Sequence, residues 1–229
     1  MSPSRTAAES KADHIARMGE GLGCVYHALW QEVAWIYKKW AEYVTLFGTN
    51  PGRIELMNQS APSFFRTVQD SMWESVLLHI ARLTDSPRSR GKSNLSLKRL
   101  PGELAASPIG DEVARLVSVA STQSDFARDW RNRHLAHRDL ALALGQQVEP
   151  LAHASRAAVR QALAAMAAVL NSVSGHYLDS TTMFDLGDDG GDAVSMLYLL
   201  RDGARYEQDR IVRLKAGTYL PGDLKHEPV

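Results

Sequence analysis

Twelve consecutive residues of this chain concentrate groups that bind phosphate and move protons: Arg128-Asp129-Trp130-Arg131-Asn132-Arg133-His134-Leu135-Ala136-His137-Arg138-Asp139. Four arginines and two histidines share the stretch, with no lysine, in a chain of zero formal net charge. Guanidinium offers a planar fork of donors that matches phosphate, and imidazole titrates near neutrality. Three chemistries fit these residue types.

The first is metal binding. His134 and His137 lie three apart and share a helix face, with Asp139 nearby, and further ligands would come from His79, His153 or His176. The surrounding arginines oppose a dication, so no metal is expected. The second is a structural network: Asp129 and Arg133, and Arg133 and His137, are one helical turn apart, and His134 with Trp130 packs inward. The third is phosphodiester chemistry on RNA. A histidine takes the proton of the ribose 2′-OH or protonates the leaving 5′-oxygen, and an arginine stabilises the charge of the five-coordinate phosphorus. RNA carries its own nucleophile, so positioning and charge stabilisation suffice without a cofactor.

The elements that must hold these groups read as helical. The 229 residues are 45% hydrophobic and 23% charged, enough to bury a core without staples. With 26 basic and 26 acidic residues, any polyanion binding is local rather than a general coating. The one cysteine, Cys24, forms no internal disulfide and reads as a small buried thiol. No secretory signal follows the polar start and no apolar run reaches membrane-spanning length, so a cytoplasmic protein without membrane contact is expected.

Leu22, Tyr26, Leu29, Val33, Ile36, Trp40, Tyr43 and Phe47 recur in steps of four and three, predicting one long helix that ends at Gly48. Gly19, Gly21 and Gly23 imitate a dinucleotide fingerprint, but no strand precedes them; a kink or close helix approach explains them. A short helix is expected over 54–58. Ser60 and Pro62 start a longer one through Phe65, Val68, Met72, Val76, Ile80 and Leu83, followed by a polar, basic loop over 86–94. Ser107-Pro108 predicts the start of a helix through Val113, Leu116 and Val119, with a break near Ser121–Ser124 before the arginine–histidine segment. Val159, Leu163, Met166, Leu170, Val173 and Tyr177 mark an alanine-rich helix. Asp185 to Asp192 lacks calcium-loop spacing and reads as a turn with Asp192 as cap. Val194, Leu197, Leu200, Ala204, Ile211 and Leu214 make a last helix. The expectation is an all-α protein: an up-and-down-like bundle of four to five main helices, one domain over 1–229, with 1–10 and 217–229 flexible or loosely packed.

Arg131-Asn132 followed by Leu135-Ala136-His137 resembles the arginine–polar–spacer–histidine motif of the HEPN superfamily of helical RNases and RNA-binding proteins. Other stretches are similar to its AbiU-like, abortive-infection branch: Gly19-Glu20 through Tyr26-His27, Trp40-Ala41-Glu42-Tyr43, Leu46-Phe47-Gly48, Phe64-Phe65, Ile80-Ala81-Arg82-Leu83-Thr84-Asp85, Asn94-Leu95-Ser96-Leu97 and Ala136-His137-Arg138-Asp139.

The resemblance implies a HEPN-like bundle and a metal-independent endoribonuclease, a toxin or antiviral effector, acting as a homodimer with two motif copies facing one cleft. It implies that Arg131 contacts the scissile phosphate, His137 is general acid or base, and Asn132 orients the arginine or the phosphate. Arg133, Arg138 and Arg128 are the candidate RNA-binding residues around them. The alternative is a non-catalytic RNA-binding or protein-interaction module. RNA is the expected partner, with an antitoxin or regulatory partner a further candidate. HEPN toxins paired with nucleotidyltransferase antitoxins often carry a tyrosine just after the histidine; Arg138 and Asp139 stand here, so that pairing is not expected. On an ideal continuous helix Arg131 and His137 point about 120° apart. Convergence then needs a helix end, a bend, arginine reach or the partner subunit, and Arg133 is the fallback phosphate ligand.

Overall fold

A computed structural model describes residues 6–48, 50–89, 91–136, 139–146, 149–185 and 192–225. The chain is all-α. It divides into two compact units, Met1–Trp40 with Met72–Leu186, and Ala41–Ser71 with Gly187–Val229.

Helix α1, Ala7–Met18, starts where the sequence suggested a loose end. Thr6 and Glu9 form a reciprocal capping box, Thr6 Oγ1 accepting from the Glu9 N–H at 3.2 Å and the Thr6 N–H donating to Glu9 Oε2 at 2.7 Å. Gly19 ends α1 with φ of 80°, its N–H donating to the Ile15 carbonyl at 2.9 Å. A Cβ at Gly23 would lie 2.6 Å from Ile15 Cα, so α1 and α2, Glu20–Phe47, meet backbone to backbone at that glycine. The glycines are therefore a kink and a close approach, as their context predicts. The α2 stripe is buried from Leu22 to Tyr43, but Leu46 rather than Phe47 closes it.

Helix α3 spans Pro51–Ser60, longer than expected because Asn50 caps it, its side-chain oxygen accepting from the Gly52 and Arg53 N–H groups. Helix α4, Pro62–Leu83, buries Val76, Leu77 and Ile80 completely; each such side chain contributes about 1.5–3 kcal/mol. The loop after α4 contains a two-residue antiparallel pairing, Arg88–Ser89 with Lys92–Ser93. A short 3₁₀ turn, Leu97–Arg99, leads into α5, Leu100–Glu103.

Helix α6, Gly110–Gln123, begins after Ile109 with no side-chain cap, so Ser107-Pro108 does not start it; Ser107 instead closes a turn to Leu104 and accepts from the Tyr177 hydroxyl. Its buried positions are Val113, Val117 and Ala120, while Val119 is exposed. The 113–117–120 spacing faces α9, Arg156–Leu178, and the 113–116–119 reading was one position out of phase.

By length and composition α9 could cross a membrane, which the sequence reading did not anticipate. Its buried face from Val159 to Ser174 is core, packed on α6. Ser155 caps it, accepting from the Ala158 N–H at 3.1 Å. The chain then returns across α2: Thr182 accepts from Trp30 Nε1 at 3.0 Å, and the Phe184 ring stacks on Tyr37. Burial, then the nearby Asp185 carboxylate, pushes the Tyr37 phenol up to about 12. Of the Asp185–Asp192 stretch read as a turn, 186–191 lie outside the described residues, and Asp192, read as the cap, is the first residue of the next helix instead.

In the second unit α10, Asp192–Ala216, packs on α3, yet only Ala193 and Leu197 are buried along it. Its end is tied to a 3₁₀ turn, Pro221–Leu224, where Asp223 is completely buried. Arg213 donates twice to that carboxylate, at 2.7 and 2.8 Å, and the Leu220 N–H once. These donors hold Asp223 down at about 2.

Candidate functional site

The arginine–histidine segment follows a double break. Ser124 ends α6, its hydroxyl donating back to the Ala120 carbonyl at 2.7 Å rather than capping forward. Helix α7, Asp125–Trp130, is then followed by a π-helical segment, Arg131–Leu135, in which the Ala136 N–H donates to the Arg131 carbonyl at 2.8 Å. The bond reaches back five positions rather than four, a widened turn that recurs at functional sites in other helices. Arg131 therefore does not sit on a continuous α-helix. Asp139 closes the segment, its N–H donating to the Arg133 carbonyl and its carboxylate capping α8, Leu140–Ala143, through the Leu142 N–H.

Arg131 is held from two sides. Its Nη1 donates to Asp85 Oδ2, beyond the end of α4, and Nε and Nη2 both donate to Asn132 Oδ1, at 3.0 and 2.9 Å. About a quarter of each side chain of the Arg131–Asp85 pair remains exposed, 23% and 25%. Asn132 is exposed and faces the arginine beside it.

The other described arginines are turned to the fold. Arg128 donates to Thr84 Oγ1 at 3.0 Å, to the Ser121 carbonyl at 2.8 Å and to Asp125. Arg133 donates to Asp129, to the Pro150 carbonyl at 3.3 Å and to the Glu149 carbonyl. Turning Arg128 to RNA would abandon its bond to the half-buried Ser121 carbonyl, at about 1–3 kcal/mol for an acceptor left unpaired, whereas the Glu149 and Pro150 carbonyls that Arg133 reaches are exposed and water can replace it there. Asp129 and Trp130 fasten the same stretch: the Ala152 N–H donates to Asp129 Oδ2 and Trp130 Nε1 donates to the Ala152 carbonyl, both at 2.8 Å. His134 lies edge-on to Trp130 with ring centroids 5.5 Å apart, as their one-turn spacing suggests, but both rings are only half-buried. His137 and Arg138 lie outside the described residues.

The histidines considered as distant metal ligands go elsewhere. His79 is buried against Glu32, 2.7 Å away, while His153 and His176 are exposed. Burial pushes the His79 imidazole down and outweighs the opposing pull of the Glu32 carboxylate. His14 and His27 share a buried Nδ1–Nδ1 contact of 3.2 Å between α1 and α2. Among the described residues no three His, Cys, Asp or Glu side chains are grouped to hold a metal ion.

Sequence reasoning did not give Asp85 or Thr84 a site role. Both stand in the Leu83-Thr84-Asp85 ending of a predicted helix, and a short polar pair there was the available signal. The AbiU2 family (HEPN_AbiU2) matches residues 20–196, from the first residue of α2 through the arginine–histidine segment and into α10. No curated protein and no solved structure matches the chain.

Proposed function

This chain belongs to the AbiU2 family of the HEPN superfamily, and we propose from that premise that it is a metal-independent endoribonuclease of an abortive-infection system. RNA is cut through its own 2′-OH. The 2′-oxygen attacks phosphorus, the bond to the 5′-oxygen breaks, and the products are a 2′,3′-cyclic phosphate and a 5′-hydroxyl end. His137 exchanges the proton, as base toward the 2′-OH or as acid toward the leaving 5′-oxygen. Arg131 stabilises the added charge on the five-coordinate phosphorus, where a fixed donor outperforms mobile water. Asn132 holds Arg131 in place. The working form is a cytoplasmic homodimer in which two copies of the motif line one cleft.

The observation that carries this reading is the treatment of one arginine out of three. Arg128 and Arg133 are tied into backbone carbonyls, whereas Arg131, exposed to the same extent as they are, is gripped by side chains alone. Holding a phosphate ligand in place before substrate arrives lowers the ordering cost of the transition state.

Incubating purified protein with RNA in EDTA tests the proposal. Cleavage leaving cyclic phosphate ends is the expected result; RNA bound but never cut would make the protein a non-catalytic RNA-binding module.

A further inference from the structure

Asp85 meets Arg131 across 46 residues of chain, from the turn that ends α4. That turn is fixed independently of the arginine. The buried hydroxyl of Ser96 donates to the Asp85 carbonyl at 2.6 Å and to the Leu83 carbonyl at 3.3 Å. The neighbouring Thr84 is buried too, its hydroxyl donating to the Ile80 carbonyl at 3.2 Å and accepting from Arg128 at 3.0 Å. Two adjacent residues of one turn thus reach two arginines three positions apart, Thr84 to Arg128 and Asp85 to Arg131.

We infer that Asp85 is the positioning residue for Arg131, aiming the guanidinium at the scissile phosphate while leaving part of it open. The inference rests on the ribonuclease reading and deepens it. A guanidinium has five N–H donors. Among the described residues Asp85 and Asn132 engage three, one each on Nη1, Nε and Nη2. One N–H on Nη1 and one on Nη2 remain for phosphate oxygens. The carboxylate also offsets the guanidinium charge, which weakens attraction to the ground-state phosphate. The more highly charged five-coordinate phosphorus gains more from the oriented donors, so the contribution of Asp85 appears in the rate rather than in binding. A residue that merely stabilised the fold would not split the two constants in this way.

Steady-state cleavage of a defined RNA in EDTA, with circular dichroism as the check on folding, tests this in wild type, Asp85→Ala, Asp85→Glu, Arg131→Ala and the Asp85→Ala/Arg131→Ala double variant. Asp85→Ala is expected to lower kcat about 10–100-fold, the scale of a small misplacement of a catalytic group, with KM within about threefold of wild type. Asp85→Glu is expected to recover part of the loss. In the Arg131→Ala background Asp85→Ala is expected to have no further effect, because it acts through that arginine. Wild-type rates in Asp85→Ala, a gain of activity, or losses that multiply in the double variant would overturn the inference while leaving the ribonuclease reading standing. A wild type that never cuts RNA would remove that reading, and the inference with it. Should Asp85→Ala fail to fold, Asp85→Asn, of the same shape, carries the same comparisons.

Discussion

Asn132 turns its amide oxygen back onto the arginine beside it, 3.0 Å from Arg131 Nε and 2.9 Å from Nη2, so one acceptor takes the whole side edge of the guanidinium. Two residues adjacent in sequence thereby become one unit, and the polar residue of the motif serves the arginine directly. Asn132→Ala is expected to lower RNA cleavage about tenfold, less than Arg131→Ala does, because Asp85 still holds Nη1. Initial rates on one RNA substrate measure it. Equal losses in the two variants would mean that Asn132 has a role of its own at the phosphate.

Arg128 and Arg133 are expected to separate from Arg131 in a stability assay. Arg128→Ala removes bonds to Thr84, Ser121 and Asp125, and Arg133→Ala those to Asp129, Glu149 and Pro150. Each is expected to cost about 1–3 kcal/mol of unfolding free energy in denaturant titrations, while cleavage per folded molecule falls less than tenfold. An Arg133→Ala variant with unchanged stability and abolished cleavage would move the phosphate role to Arg133.

Acid is expected to weaken the first unit through its buried histidines. Burial lowers both His27, with Lys11 adding to it, and His79. Both folded values therefore lie below the ordinary histidine value of about 6.5, and the unfolded chain takes up more protons as pH falls. The stability is present in full above about 6.5 and declines on acidification toward the folded values. Thermal melts at pH 7.5 and 5.5 check this: Tm should drop, and His79→Gln should show a smaller drop than wild type. An equal drop in that variant would remove His79 as a cause.

Much of the scaffold was legible because burial follows spacing. The α2 and α9 stripes follow four-three periodicity, and the glycines around the start of α2 form the helix end and close approach that the lack of a preceding strand suggests. Where the reading slipped, local signals competed. Ser107-Pro108 has the residue types of a helix start but forms the turn before one, and the face of α6 shifted because Leu116 and Val119 are as apolar as Val117 and Ala120. Within the candidate site, the division of labour among three arginines was not legible. Partners such as Thr84, Asp85 and Glu149 are distant in sequence, and only the fold brings them to the segment. The π-helical turn at Arg131–Leu135 has no residue-level signature either; it is written in hydrogen bonds, not in composition.

The central claim is that Arg131 and His137 cut RNA without metal. The direct measurement is a cleavage time course in EDTA with wild type, Arg131→Ala and His137→Ala, the products resolved for 2′,3′-cyclic phosphate ends. Cyclic-phosphate products from wild type, and a loss of at least about 100-fold in each folded variant, are the expected result. Cleavage that requires added metal, or that persists undiminished in both variants, would contradict it.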